Sequence, residues 1–299
     1  MTTRRFEVAE LVEILRSRVP RPGTGFDEQR ALGELAAARV PIPPGVTSTA
    51  FELGSVAAER LTPAGAVLGR TIVHLHGGAY VMGSLATVRG LAAQLALATR
   101  AEVVTLDYRL APEAPHPAAT CDVVAAYRAL MQDGRDPRSI VLSGDSAGGG
   151  LAIAALVSLR DAGLSLPAAG VCLSPWSDLT LNGPSIDANA ERDPQVQRWM
   201  LDKAADLYAN GANRRSPALS PVYADLRGLP PLLIHAGEAE ALVDDARALA
   251  RNATRAGVDV TLECWPGMIH VWHAFAPGLA EGTAALERLG DWLEARWPE

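Results

Sequence analysis

The chain belongs to the α/β class: a mostly parallel, eight-stranded sheet with helices on both faces. Three observations predict this. Short, β-branched apolar runs alternate with helical stretches, the pattern of a parallel sheet buried on both sides. The chain has 299 residues and is 48% hydrophobic, enough for one large core plus an insertion. The segment Gly144-Asp145-Ser146-Ala147-Gly148-Gly149 lies between an apolar run and a helical one, where a strand turns sharply into a helix.

The elements follow in order. Residues 5–17 and 26–38 have the spacing of two short amphipathic helices, separated by Pro20-Arg21-Pro22-Gly23. Pro41-Ile42-Pro43-Pro44-Gly45 is a linker, and residues 46–61 alternate as a hairpin or meander. Strands are expected at 71–76, 102–107, 139–143, 168–173, 231–236 and 259–264. Helices are expected at 85–99, 117–132, 147–161, 241–256 and 281–296. The alternation breaks between about 180 and 225, where four proline dipeptides surround an amphipathic piece at 195–209. That stretch reads as an insertion over the sheet edge.

Composition excludes several classes. A net charge of −7 without a basic run argues against nucleic acid and anionic membrane surfaces. No apolar run reaches membrane-spanning length. Glu10 and Glu13 interrupt any signal-peptide core after the N-terminal arginines, so a cytoplasmic location is expected. Cys121, Cys172 and Cys264 are scattered and read as buried free thiols, with no spacing that suggests a metal site.

The chemistry centres on Ser146. A tight strand-to-helix turn presents its hydroxyl above the sheet, with a helix N-terminus behind it. A serine hydroxyl needs a base, and the base needs a third group to fix its tautomer and stabilise its charge. On this topology the acid and then the histidine follow the serine in chain order. Of the six histidines, His270 and His273 lie downstream of a plausible acid. His270 sits in the loop after the 259–264 strand, at the carboxyl edge of the sheet, and is favoured as the base. His273 reads as solvated or as a supporting residue. The acid follows the 231–236 strand, among Glu238, Glu240, Asp244 and Asp245. Glu240 is taken as the acid with Asp244 as helper, while Glu238 and Asp245 suit helix-dipole complementation. Upstream, His74-Leu75-His76-Gly77-Gly78-Ala79-Tyr80 ends a strand in a glycine-rich loop. The N–H groups of Gly77, Gly78 and Ala147 would form a three-donor pocket for an oxyanion, with His76 ordering the loop.

Taken together, these residues resemble the bacterial hormone-sensitive-lipase-like (family IV) carboxylesterases of the α/β-hydrolase superfamily. The resemblance covers nearly the whole chain. It rests on His76-Gly77-Gly78, Asp107-Tyr108-Arg109-Leu110-Ala111-Pro112-Glu113, the Ser146 elbow, Leu173-Ser174-Pro175-Trp176, Leu229-Pro230-Pro231, Glu240 and His270. It implies a helical cap from residues 1–45 and 180–225 over a catalytic core of 46–179 and 226–299. It implies hydrolysis of short- to medium-chain acyl esters without a cofactor, and in some members pairing into homodimers through the last strand and helix. Ala79 stands where the family's loop has a third glycine, which costs little at negative φ. Glu240 stands where many relatives use aspartate.

Within the Tyr108–Glu113 motif, Arg109 and Glu113 read as an ion pair or a turn bracing the oxyanion loop rather than as catalytic groups. Trp176, Trp199, Leu207 and Tyr208 either line a substrate pocket or form the cap's own core. The resulting expectation is a small-molecule ester hydrolase using Ser146, His270 and Glu240, with a rate that rises with pH through roughly 6–7. Bulky tertiary-alcohol esters are expected to fit beside the loop glycines. An amide or N-acetyl hydrolase would use the same groups. A ligand-binding relative without catalysis is disfavoured by the presence of His270.

Overall fold

A computed structural model describes residues 5–21 and 23–298. Residues 1–4, which carry the first part of the signal-peptide and cap readings, Pro22 of the expected turn, and residue 299 lie outside the described residues. Two short helices open the chain, α1 (Val8–Arg16) and α2 (Phe26–Ala37), followed by an antiparallel hairpin, β1 (Val46–Leu53) and β2 (Val56–Pro63). The alternating unit then runs β3 (Thr71–Leu75), α3 (Leu85–Thr99), β4 (Glu102–Leu106), α4 (Ala118–Gln132), β5 (Ile140–Asp145), α5 (Ala147–Asp161) and β6 (Ala169–Leu173). The insertion carries α6 (Ser185–Ala188) and α7 (Arg198–Ala209). β7 (Leu232–Gly237), α8 (Val243–Arg255), β8 (Val260–Trp265) and α9 (Ala280–Glu294) complete the chain. The eight strands form one sheet in the order β1-β2-β4-β3-β5-β6-β7-β8, parallel from β4 to β8.

Alternation along each central strand sends side chains to two separate cores. Val73, Leu75, Leu142, Cys172 and Ile234 face one side, with α4, α5 and α8. Ile72, Val141, Val171 and Leu233 face the other, with α3 and α9. Both faces are covered, so β3, β5, β6 and β7 are buried along their whole length and their sequences are mostly apolar. Helix α5 is buried on every side over Ala147–Leu156, while α8 and α9 bury one stripe each. In α8 that stripe is Val243, Ala246, Leu249, Ala250 and Ala253, spaced by three and four residues. Ser84 starts α3 with a reciprocal cap: its Oγ accepts the Thr87 N–H at 3.2 Å, and its own N–H donates to Thr87 Oγ1 at 2.8 Å.

Two of the three thiols differ from the expectation of burial. Cys172 is buried, and burial pushes its thiol up to about 12. Cys121 is exposed and Cys264 only half-buried, because α4's outer side and the edge strand β8 leave them uncovered. Among the described residues no helix is long and apolar enough to cross a membrane.

The parallel strands end on one edge of the sheet, where their following loops converge. Gly148, in the first turn of α5, lies against the ends of β3: a Cβ there would collide with the backbone carbonyls of Leu75 and His76. Gly148→Ala is therefore expected to destabilise the protein by about 1–3 kcal/mol, because backbone rather than a flexible side chain blocks the methyl. Urea unfolding checks this, and a midpoint equal to that of the wild type would contradict it.

Candidate functional site

Ser146 joins β5 to α5 with φ +53° and ψ −121°, a conformation that strains any residue with a Cβ. Four backbone hydrogen bonds hold it there. Its N–H donates to the Leu173 carbonyl at 2.8 Å, and its carbonyl accepts from Gly149, Gly150 and Trp176 at 3.0, 3.2 and 2.9 Å. The side chain therefore points outward at the N-terminus of α5.

The loop after β8 brings His270 to it, with Nε2 2.9 Å from Ser146 Oγ. At this distance the imidazole can take the hydroxyl proton. Glu240, in the loop between β7 and α8, is fully buried behind the histidine. Its Oε2 lies 3.8 Å from His270 Nδ1, longer than a hydrogen bond, and both Nδ1 and the second carboxylate oxygen are buried without a hydrogen-bond partner. The two loops are tied together. Ala239 N–H donates to the Met268 carbonyl at 2.9 Å and Glu238 N–H to the Trp265 carbonyl at 3.0 Å. Burial pushes the Glu240 carboxyl up, opposed by His270 and by Ser174. Burial alone would lower His270, but the adjoining Glu240 carboxylate, together with Asp193 and Asp145, outweighs it and the imidazole is raised above its usual 6.5.

Asp244 does not join this group. Its Oδ2 accepts the Ser185 N–H at 2.9 Å, and its other oxygen faces Arg247. Asp245, expected to complement the helix dipole, is instead buried and accepts the N–H groups of Ser177 and Asp178 at 2.9 and 2.8 Å. His273 is neither solvated nor in reach of Ser146. It is fully buried with Nε2 3.1 Å from His235 Nδ1, and burial holds it well below the ordinary histidine range.

The glycine loop lies beside Ser146. Gly78 has φ +117°, and a Cβ there would collide with the Met82 carbonyl. Ala79 and Tyr80 follow with φ +54° and +63°, so Ala79 lacks the negative φ at which it would cost little and sits in the left-handed region that costs alanine about 1–2 kcal/mol. Its surroundings hold it there. Tyr108 Oη donates to the His76 carbonyl at 2.7 Å, Ala111 N–H donates to the Tyr80 carbonyl at 2.9 Å, and the Tyr80 ring stacks on Tyr208 with centroids 3.9 Å apart. His76 Nδ1 contacts the Gly77 carbonyl at 2.7 Å, in keeping with a loop-ordering role. Among the described residues the N–H groups of Gly77 and Gly78 donate to no backbone carbonyl. Ala147, as the first helical residue, has no acceptor within its helix.

The expected Arg109–Glu113 pair does not form. Arg109 binds Asp122 at 2.7 Å, while Glu113 binds Arg30 of α2 at 2.6 Å. Arg30 also donates to the carbonyls of Val81 at 2.6 Å and Ala111 at 2.8 Å, so the brace on the glycine loop comes from the N-terminal helix. Sequence spacing pairs neighbours, whereas this contact joins residues 83 positions apart.

A cavity of about 350 Å³ opens over Ser146 and His270. Apolar side chains wall it, among them Phe26, Val88, Leu91, Met200 and Leu201, with Gly77, Gly78 and Asp145 at its base. Trp176, Trp199, Leu207 and Tyr208 are not among its lining residues. Trp176 and Tyr208 are core, the former donating Nε1–H to the Asp178 carbonyl at 3.2 Å.

Other residues at the site carry no local sequence signal as participants. Ser174 Oγ donates to Glu240 Oε2 at 2.6 Å and accepts the Val271 N–H at 3.0 Å, so one hydroxyl fastens both loops. Gln195 Nε2 donates to the His270 carbonyl at 2.5 Å, and Asn189 Nδ2 to the Glu240 carbonyl at 2.9 Å.

Residues 72–274 match a family model described as an alpha/beta hydrolase fold. An acetyl-hydrolase of Streptomyces hygroscopicus is 47% identical over 265 residues, covering 89% of this chain and 86% of that protein. An esterase of Acinetobacter venetianus is 35% identical over 221 residues, covering 74% of this chain and 73% of that protein. The crystal structure of an esterase from the bacterial hormone-sensitive lipase family superimposes with a TM-score of 0.94 at 45% identity, covering 97% of this chain and 98% of that one. The esterase EstE5, in crystals soaked with p-nitrophenyl butyrate, superimposes with a TM-score of 0.93 at 44% identity and the same coverage.

Replacing Ser174 by alanine leaves the buried Glu240 carboxylate and Val271 N–H short of a partner. We expect a loss of about 1–3 kcal/mol in stability, with a fall in kcat larger than the change in KM. Thermal unfolding and steady-state kinetics on one preparation check this, and an unchanged kcat would contradict it.

Proposed function

The chain belongs to the bacterial hormone-sensitive-lipase-like branch of the α/β-hydrolase family, and we propose that, as a carboxylesterase of that family, it cleaves short- to medium-chain acyl esters through an acyl-serine intermediate on Ser146. The observation that carries this reading is the 2.9 Å approach of His270 Nε2 to a serine held outward at a helix N-terminus.

In this mechanism His270 takes the Ser146 proton as Oγ attacks the ester carbonyl. Negative charge gathers on the carbonyl oxygen, and the N–H groups of Gly77, Gly78 and Ala147 stabilise it in a pocket of low dielectric. The tetrahedral intermediate collapses, His270 gives its proton to the departing alcohol, and an acyl-serine remains. Water, deprotonated by the same histidine, then releases the acid and restores Ser146. Glu240 orients the imidazole and stabilises its positive charge once the 3.8 Å separation closes.

Residues 1–45 and 180–225 act as the cap, and residues 46–179 and 226–299 as the catalytic core. Cavity walls contributed by α2 and α7 on one side and by the sheet's loops on the other support that division. The cavity's modest volume supports a short acyl chain, since sites for small ligands span about 300–1,000 Å³. The similarity to an acetyl-hydrolase supports the same direction. A cytoplasmic location and pairing of two copies through β8 and α9 belong to the same reading; the edge position of β8 supports the second.

A series of p-nitrophenyl esters from acetate through octanoate to palmitate, run beside the matching acetanilide, tests the substrate class. Hydrolysis is expected to be fastest between acetate and octanoate and slower by about tenfold or more on palmitate and on the anilide. Ser146→Ala is expected to lower kcat on the order of 10⁴-fold or more. Near-wild-type activity in that variant would overturn the assignment.

The histidine must be neutral to act as base, so activity is lost as pH falls through its pKa. That pKa is raised, and the acid limb of kcat/KM is therefore expected above 6.5, with a plateau on the alkaline side. An acid limb at or below 6.5 would contradict the arrangement with Glu240.

A further inference from the structure

The insertion sends a carboxylate into the site that the mechanism above does not use. Asp193 is fully buried. Its Oδ1 accepts the N–H groups of Gln195 at 2.9 Å and Val196 at 3.2 Å, a local turn that asparagine would serve equally well. Its Oδ2 does something different. It accepts the Ala241 N–H at 2.8 Å, 48 positions along the chain and directly after Glu240. Using both oxygens as acceptors requires aspartate, because an asparagine amide would set donor against donor there. The turn so formed places Gln195, whose side chain donates to the His270 carbonyl at 2.5 Å.

We infer that Asp193 is a positioning residue for the Glu240–His270 pair, fastening the insertion to both loops and supplying a second buried negative charge. The proposal rests on Ser146 and His270 being the reacting groups. The groups that act on the imidazole are Glu240, Asp193, Asp145 and His273. The first three, ionised, favour its protonated form. His273 stays neutral under burial and sets no cation against the imidazole, so the Asp193 carboxylate adds to Glu240 in favouring the protonated ring, while its charge also pushes the Glu240 carboxyl up.

The test compares Asp193→Asn and Asp193→Glu with the wild type on p-nitrophenyl acetate across pH, with Ser146→Ala alongside. Asp193→Asn is expected to lower kcat by about 10- to 100-fold with KM changed by less than about threefold. Its acid limb should move down by about half a unit or more, since a buried anion has been removed. Asp193→Glu keeps the charge and is expected to keep the wild-type acid limb, with a smaller loss in kcat. If Asp193→Asn retains both the wild-type limb and a kcat within about twofold, the proposal fails. It fails also if neither variant yields folded protein, which would make Asp193 a folding residue only. Activity persisting in Ser146→Ala would instead overturn the underlying assignment of the serine.

Discussion

The backbone of Ser146 is the constraint on which the site depends. A φ of +53° on a residue with a Cβ is tolerated only because four hydrogen bonds from β6, α5 and the segment after β6 fix it. That conformation lets the hydroxyl leave the sheet while the chain turns at once into α5. The turn closes only with glycine at 148, where the helix meets the carbonyls of Leu75 and His76. The elbow and the glycine loop are therefore one packed unit, and the distance between Ser146 and the Gly77 and Gly78 amides is set by backbone contact.

The remaining groups are held by a different device. Glu240 and His270 sit on loops without regular hydrogen bonding of their own, and side chains from elsewhere tie them down. Ser174 bridges the two loops, Gln195 and Asn189 reach in from the insertion, and Arg30 of α2 braces the glycine loop from the other side. The N-terminal helices and the insertion thus share in holding the geometry as well as in walling the cavity. Positive φ at Ala79 and Tyr80 shows the same principle, since the ring stack and the bonds from Tyr108 and Ala111 maintain a conformation that alanine and tyrosine disfavour alone.

Much of the fold was legible because its elements obey local periodicity. The runs at 85–99 and 147–161 coincide with α3 and α5, and each expected central strand lies within one or two residues of an observed one. Ser146 and His270 were legible for a related reason: a turn that needs glycine and a loop at a strand's end both leave marks in adjacent residues. The pairings were not legible. Arg109 and Glu113 are four apart in sequence yet bind Asp122 and Arg30, because the loop between them turns their side chains to different elements. Asp245 carries the signature of a helix-terminal charge but is drawn inward by the Ser177 and Asp178 amides. Tyr208 of the insertion and Trp176 before it pack as core, while the cavity forms against α2, a contact that no local pattern encodes.

Labelling with a fluorophosphonate, followed by mass analysis of the peptides, tests the central claim most directly. An activated serine beside a neutral histidine should form one covalent adduct, on the peptide that contains Ser146, with ester hydrolysis lost in proportion. A protein that hydrolyses esters while Ser146 remains unlabelled, or that carries the adduct on another residue, would contradict the account.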